Sequence, residues 1–217
     1  MISLYRHIQT YTADYNEISL YYLSYLMIVI LCHACLPDVS IQSSFAVNLF
    51  IMILVVSLNT QKIFHEPKRL GLLNQWLIYH DLDEVFISIR ILSFWLTYLF
   101  PLCCVLGLYS LTIGFDVTQT MTLNGCMILF SLAICFKMSL LSALLTFTNN
   151  SPALVIILCF PFCVPLLLLT LSLVKLLSAN MPATQCLMML VALVVLLASS
   201  LPMLIRTILS VGWCADY

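Results

Sequence analysis

Glycine and charge are both scarce in this sequence, and each scarcity removes a class of function. Only five glycines occur, and none stands in G-x-x-x-x-G-K-[ST] or G-x-G-x-x-G, the loops whose backbone N–H groups cradle phosphate. The chain therefore does not bind ATP through a known phosphate loop. It also lacks G-x-S-x-G, H-E-x-x-H and any closely spaced pair of carboxylates on an apolar helix. The expectation is a non-catalytic chain. Charged residues make up 8% of the sequence, the formal net charge is −1 and no run of like charge exists. That leaves no electrostatic footprint for nucleic acid or for an acidic partner. Cysteines number ten but are scattered through apolar stretches (Cys103, Cys104, Cys126, Cys135, Cys159, Cys163, Cys186), where Cys behaves as a small soft apolar residue. No disulfide framework is read from them.

What is abundant is apolar surface: 63% of the 217 residues are hydrophobic, more than a water-soluble core of this size can hide. The solvent for that surface is lipid. A helix pairs its own backbone groups and needs about 20 apolar residues to cross a hydrocarbon layer about 30 Å thick. The sequence predicts an all-α integral membrane protein with six transmembrane helices in a single transmembrane domain over residues 1–217. The spans are expected at about 20–36, 43–60, 85–113, 121–147, 152–177 and 184–209. Their joints carry the breakers Gly114, Asn149, Asn150, Pro152, Asn180 and Pro182. The opening MISLYRHIQTYTADYNEISL is too polar for a cleaved signal and is expected to remain as an N-terminal amphipathic helix. With that topology Arg6, Lys62, Lys68, Arg69, Arg90 and Arg206 fall on one side and Lys175 on the other. Retention of basic residues in the cytoplasm then puts both termini inside.

The one substantial hydrophilic segment lies between the second and third spans. From Pro67, suited to a first helical turn, Leu70, Leu73, Trp76, Leu77 and His80 recur at three- and four-residue steps beside Lys68, Arg69, Asn74 and Gln75. This predicts an interfacial helix over about 64–82. Two roles fit it: a helix lying on the lipid surface with Trp76 as anchor, or a coupling helix pushed by a cytoplasmic motor. Asp81 or Asp83 would cap the third span, with Glu84 near its positive end. Lys137, well inside the fourth span, is a candidate buried polar contact for an ion or ligand. Alternatively its long stem reaches the interface or a neighbouring carbonyl. Pro101, Pro161, Pro165 and Pro202 each remove a helical hydrogen bond at membrane depth, as hinges or as static bends. Cys32-His33-Ala34-Cys35 has two readings, a thiol pair or haem-contacting His and plain helix-end packing; it lacks the ligand number of a zinc site and the Cys-x-x-Cys-His order of covalent haem attachment, so packing is the simpler and no metal site is expected.

Taken in order and with their spacing, these features resemble the haem exporter protein B family, the membrane subunit of the ABC-type complex in system I cytochrome c maturation. The resemblance runs without evident gaps from Phe64 to about Pro165. Phe64, Gly71 and Leu73 match the family's cytoplasmic F-x-x-[DE]-x-x-x-G-x-L segment, and Arg90 and Trp95 stand where a basic residue and a Trp follow. Pro101, Gly114-Phe115-Asp116, the pair Pro161 and Pro165, and Pro202 match later family positions. The chain departs from the pattern at Asn74, where the family is acidic, at Glu66, which alone represents an acidic pair, and at Lys137, where the family is apolar.

The resemblance implies an ABC-2-like permease architecture whose Phe64, Glu66, Gly71, Leu73 and Trp76 form the coupling surface to an ATP-binding subunit. It implies that Pro101, Pro161, Pro165 and Pro202 shape helices that respond. Implied partners are that ATP-binding subunit, a haem-handling membrane subunit, a small single-span subunit and a haem chaperone, with this chain as a homodimer. Haem and ATP are handled by the complex, with no cofactor bound by this chain, and ATP hydrolysis serves haem delivery or release of the haem-loaded chaperone. The implied location is a bacterial inner membrane, or the mitochondrial inner membrane if organellar. Two competing classes remain: an ABC-2-like permease for another amphiphilic substrate, and a structural subunit of a respiratory membrane complex.

Overall fold

A computed structural model of the chain describes residues 23, 25–27, 41–69, 71, 73, 84–112, 117–147, 152–179, 181 and 184–216. Among the described residues there are helices and turns and no strand. The helices are α1 (Ile41–Asn59), α2 (His65–Arg69), α3 (Glu84–Tyr98), α4 (Phe100–Thr112), α5 (Val117–Leu145), α6 (Pro152–Ser178) and α7 (Thr184–Asp216). Four helical stretches among them are long and apolar enough to cross a membrane: Phe45–Arg69, Glu84–Gly107, Val117–Leu145 and Thr184–Gly212. A further helix, α6, is 27 residues long. The expected first span contributes only Leu23 and residues 25–27, all helical, and the expected N-terminal amphipathic helix lies outside the described residues.

Helix α5 is the axis of the fold. Its sequence is apolar on every side, the pattern of a helix enclosed by others, and it packs against α1, α3, α4, α6 and α7. Ser131, Ala133, Ser139, Ser142 and Ala143 are buried along it, small side chains that let neighbouring backbones come close. The hydroxyls of Ser131 and Ser139 donate to the carbonyls of Ile128 and Phe136, so these polar groups are satisfied within the helix. Helix α7 is different, with one buried row, Leu190, Val194, Leu201, Ile205 and Leu209. Its other side exposes Met188, Met189, Val195, Leu196, Met203 and Leu204, the surface that lipid covers.

The expected third span is two helices, α3 and α4, interrupted at Leu99. The cause is Pro101, whose ring nitrogen has no hydrogen to give the Thr97 carbonyl. The ladder is kept on either side, Leu99 N to Trp95 O at 2.9 Å and Cys103 N to Leu99 O at 3.0 Å. Neither Pro165 in α6 nor the buried Pro202 in α7 ends its helix. Helix α1 closes with side chains that return to its own carbonyls: Asn59 Nδ2 to Val55 O and Thr60 Oγ1 to Val56 O, each at 2.8 Å. The last turn tightens into a 3-10 helix over Thr60–Lys62.

Candidate functional site

The loop after α1 is held to the end of α5. Pro67 sits inside the single short turn of α2, where its missing N–H belongs to the unpaired first-turn set. Gly71 then takes φ +73°, a left-handed conformation that side chains disfavour, and its N–H donates to Lys68 O at 2.9 Å. The helix beginning at His65 thus does not run unbroken through the expected stripe. No side chain added at Gly71 would strike a neighbour, so glycine is needed there for its backbone.

The two large side chains flanking this turn, Phe64 and Leu73, are each 1% exposed and belong to the core. They seat the segment from within and leave His65 and Arg69 as its exposed face. Between them Lys68 reaches 78 residues along the chain and donates from Nζ to the carbonyl of Thr146 at 3.1 Å. The same ammonium lies 4.2 Å from the centre of the Phe147 ring. Thr146 and Phe147 follow directly on Leu145, the last residue of α5. A lysine at this place supplies a partner to a terminal carbonyl and a positive charge at the negative end of the helix dipole. At the start of α3, Glu84 and Arg206 approach to 3.6 Å; at its far end, Lys62 Nζ stands 5.6 Å from the Tyr98 ring centre. Gly212 of α7 also abuts Phe147, since a Cβ there would fall 2.5 Å from ring carbons.

A second junction joins α5 to α3 and α4 at mid-membrane. Trp95 Nε1 donates to Ser131 Oγ at 2.9 Å, and Cys103 Sγ lies 3.4 Å from the same oxygen. Lower on the same face, Cys135 Sγ approaches Ile91 O at 3.7 Å. Toward the other end, the Asn124 side chain packs so closely on Gly107 that a Cβ there would meet Nδ2 at 2.8 Å.

Of the expected coupling set, the structure places Phe64 and Leu73 in the core and Gly71 in the turn between them. Glu66 lies in α2 with its side chain outside the description, and Trp76 lies outside the described residues. Lys137 is half-buried in α5, about 12 Å from the end of that helix. Pro101 bends the third span, Pro165 is exposed, Pro202 is buried, and Pro161 lies in α6 with its ring undescribed. The Cys32-to-Cys35 segment lies outside the described residues, and among those described no cluster of three or more His, Cys, Asp or Glu is placed to hold a metal. Sequence reasoning missed Lys68 as a latch, Thr146 and Phe147 as its receiver, and Ser131 as the mid-membrane junction. Only the position of Thr146 and Phe147 just before the Asn149-Asn150 joint hinted at a helix end needing a cap.

The family described as CcmB protein matches residues 3–210 of the chain. No curated protein matches it.

Proposed function

The chain belongs to the CcmB family and is a membrane component of the cytochrome c maturation haem exporter; from that premise we propose that its loop from Thr60 to Leu73 receives the movement of a separate ATP-hydrolysing subunit. The chain itself is non-catalytic in this scheme and binds no cofactor of its own. Two copies pair with two copies of the ATP-binding subunit and associate with a haem-handling membrane subunit, a small single-span subunit and a haem chaperone. ATP hydrolysis releases the haem-loaded chaperone or delivers its haem. Six crossings of an inner membrane leave both termini and the Thr60–Leu73 loop on the cytoplasmic side.

The observation that carries this reading is the attachment of Lys68 to the Thr146 carbonyl and the Phe147 ring. A push on the exposed His65 and Arg69 acts on a turn whose inner residues, Phe64 and Leu73, are embedded in the core. Because α5 packs against the other long helices, displacement of its end is felt by all of them. Phe64 and Leu73 are then transmitters rather than the docking surface itself. A nucleotide-driven change needs contacts that differ between two states, and a lysine on a carbonyl is a contact that can be made and broken.

The test is a peroxidase haem stain of membranes from cells with and without this chain, with covalent haem on the chaperone followed in the same gel. Loss of c-type cytochromes while the chaperone stays haem-loaded is the expected result. Normal c-type cytochromes without the chain would overturn the proposal.

A further inference from the structure

Beside the Lys68 latch, the ends of α5 and α7 enclose an open groove of about 380 Å³ lined by Leu144, Phe147, Thr207, Ile208, Val211 and Gly212. That is within the range of roughly 300–1,000 Å³ typical of small-molecule sites. Its lining is apolar apart from Thr207, and Leu144 and Val211 at its margin are 43% and 65% exposed. Glycine at position 212 lets the Phe147 ring pack directly on α7 in the groove wall, since a Cβ there would fall 2.5 Å from ring carbons.

The chemistry of the rim selects the occupant. Lys68 lies over the Phe147 ring that walls the groove, and Arg69 beside it in sequence is exposed. Among the described side chains, the acidic group at this end of α3, Glu84, is offset by Arg206 at 3.6 Å. An apolar trough on the lipid-facing side of a transmembrane helix end, with a basic rim at interface depth, matches an amphiphile with an anionic head. We propose that this groove binds an anionic phospholipid, one acyl chain lying along Val211 and Leu144 and the phosphate facing Lys68 and Arg69. The lipid wedges between α5 and α7 next to the latch, and its binding does not depend on the chain's role in haem export.

The full-length protein in phosphatidylcholine nanodiscs, doped with either phosphatidylglycerol or phosphatidylcholine carrying a diazirine on the acyl chain, tests this directly. After illumination, labelled peptides are quantified by mass spectrometry. The phosphatidylglycerol probe labels the segments holding Leu144 and Val211 several-fold more than the phosphatidylcholine probe, about fivefold for each basic group engaged. Arg69→Gln lowers that preference by about one such factor. Thr207→Phe, at an exposed position, fills the trough and removes labelling by both probes without lowering the melting temperature. Equal labelling by the two probes in the unaltered protein overturns the proposal, as does a preference that survives both Lys68→Gln and Arg69→Gln.

Discussion

Halfway along α5, Ser131 accepts a hydrogen bond from the Trp95 indole and has the Cys103 sulfur at 3.4 Å, all three residues buried. At the loop end of the same helix, Thr146 offers a carbonyl to a single lysine from a distant, partly exposed turn. The two junctions differ in what opening them would cost. Separating the first would strand an indole N–H in hydrocarbon and open a void where a large ring had been. Separating the second returns an ammonium and a carbonyl to the interfacial zone, where water solvates both. The mid-membrane junction is the costlier of the two to open, which is why the proposed function puts movement at the loop end.

Substitutions at the two junctions sharpen this contrast. Trp95→Ala has the largest effect, about 3–5 kcal/mol by analogy with other buried large-to-small changes, read as a fall in the melting temperature of detergent-solubilised protein. Trp95→Phe loses the bond to Ser131, about 1 kcal/mol for a hydrogen bond between membrane helices, and part of the ring volume, so its cost falls between that figure and the cost of Trp95→Ala. Gly107→Leu forces α4 away from Asn124 and costs about 1–3 kcal/mol, and a simultaneous Asn124→Ala restores part of the loss. Gly125→Leu, where nothing stands within 4 Å of an added Cβ, leaves the melting temperature unchanged.

At the loop end the effects on stability are smaller. Gly71→Ala costs about 1–2 kcal/mol because φ +73° is left-handed, and Gly71→Asn costs less, since Asn tolerates that region. Glu84→Gln or Arg206→Gln changes the melting temperature least, below about 1 kcal/mol, because the pair is half-exposed at 3.6 Å. A stability loss at Glu84 as large as that at Trp95 would erase the distinction between the two junctions.

How much of this was legible in the sequence follows from range. The long apolar runs located α5 and α6 to within four residues and the start of α7, which runs on to Asp216 past the expected end at about 209, because each crossing is a local property of about 20 consecutive side chains. Pro101 was legible as a hinge or bend, as were Pro161, Pro165 and Pro202, but only at Pro101 do the described helices break. The stripe from Leu70 to His80 gave the period of a helix; of it only Gly71 and Leu73 are described, and Gly71 is left-handed. Phe64 and Leu73 were legible as important but not as buried, since an apolar residue in a polar loop reads equally as anchor or as docking surface. Lys68 could not be paired with Thr146, because that contact joins residues 78 apart and no local rule connects them. Ser131 was hidden for the same reason, a small residue in an apolar run whose partner lies on another helix.

The most direct measurement of the central claim is Lys68→Met in cells, with ATP hydrolysis by the purified complex and haem on the chaperone and on c-type cytochromes measured side by side. Met keeps most of the stem and removes the charge and the donor. The account predicts an assembled complex that still hydrolyses ATP while the chaperone stays haem-loaded and c-type cytochromes fall. Full levels of c-type cytochromes in that variant would contradict it.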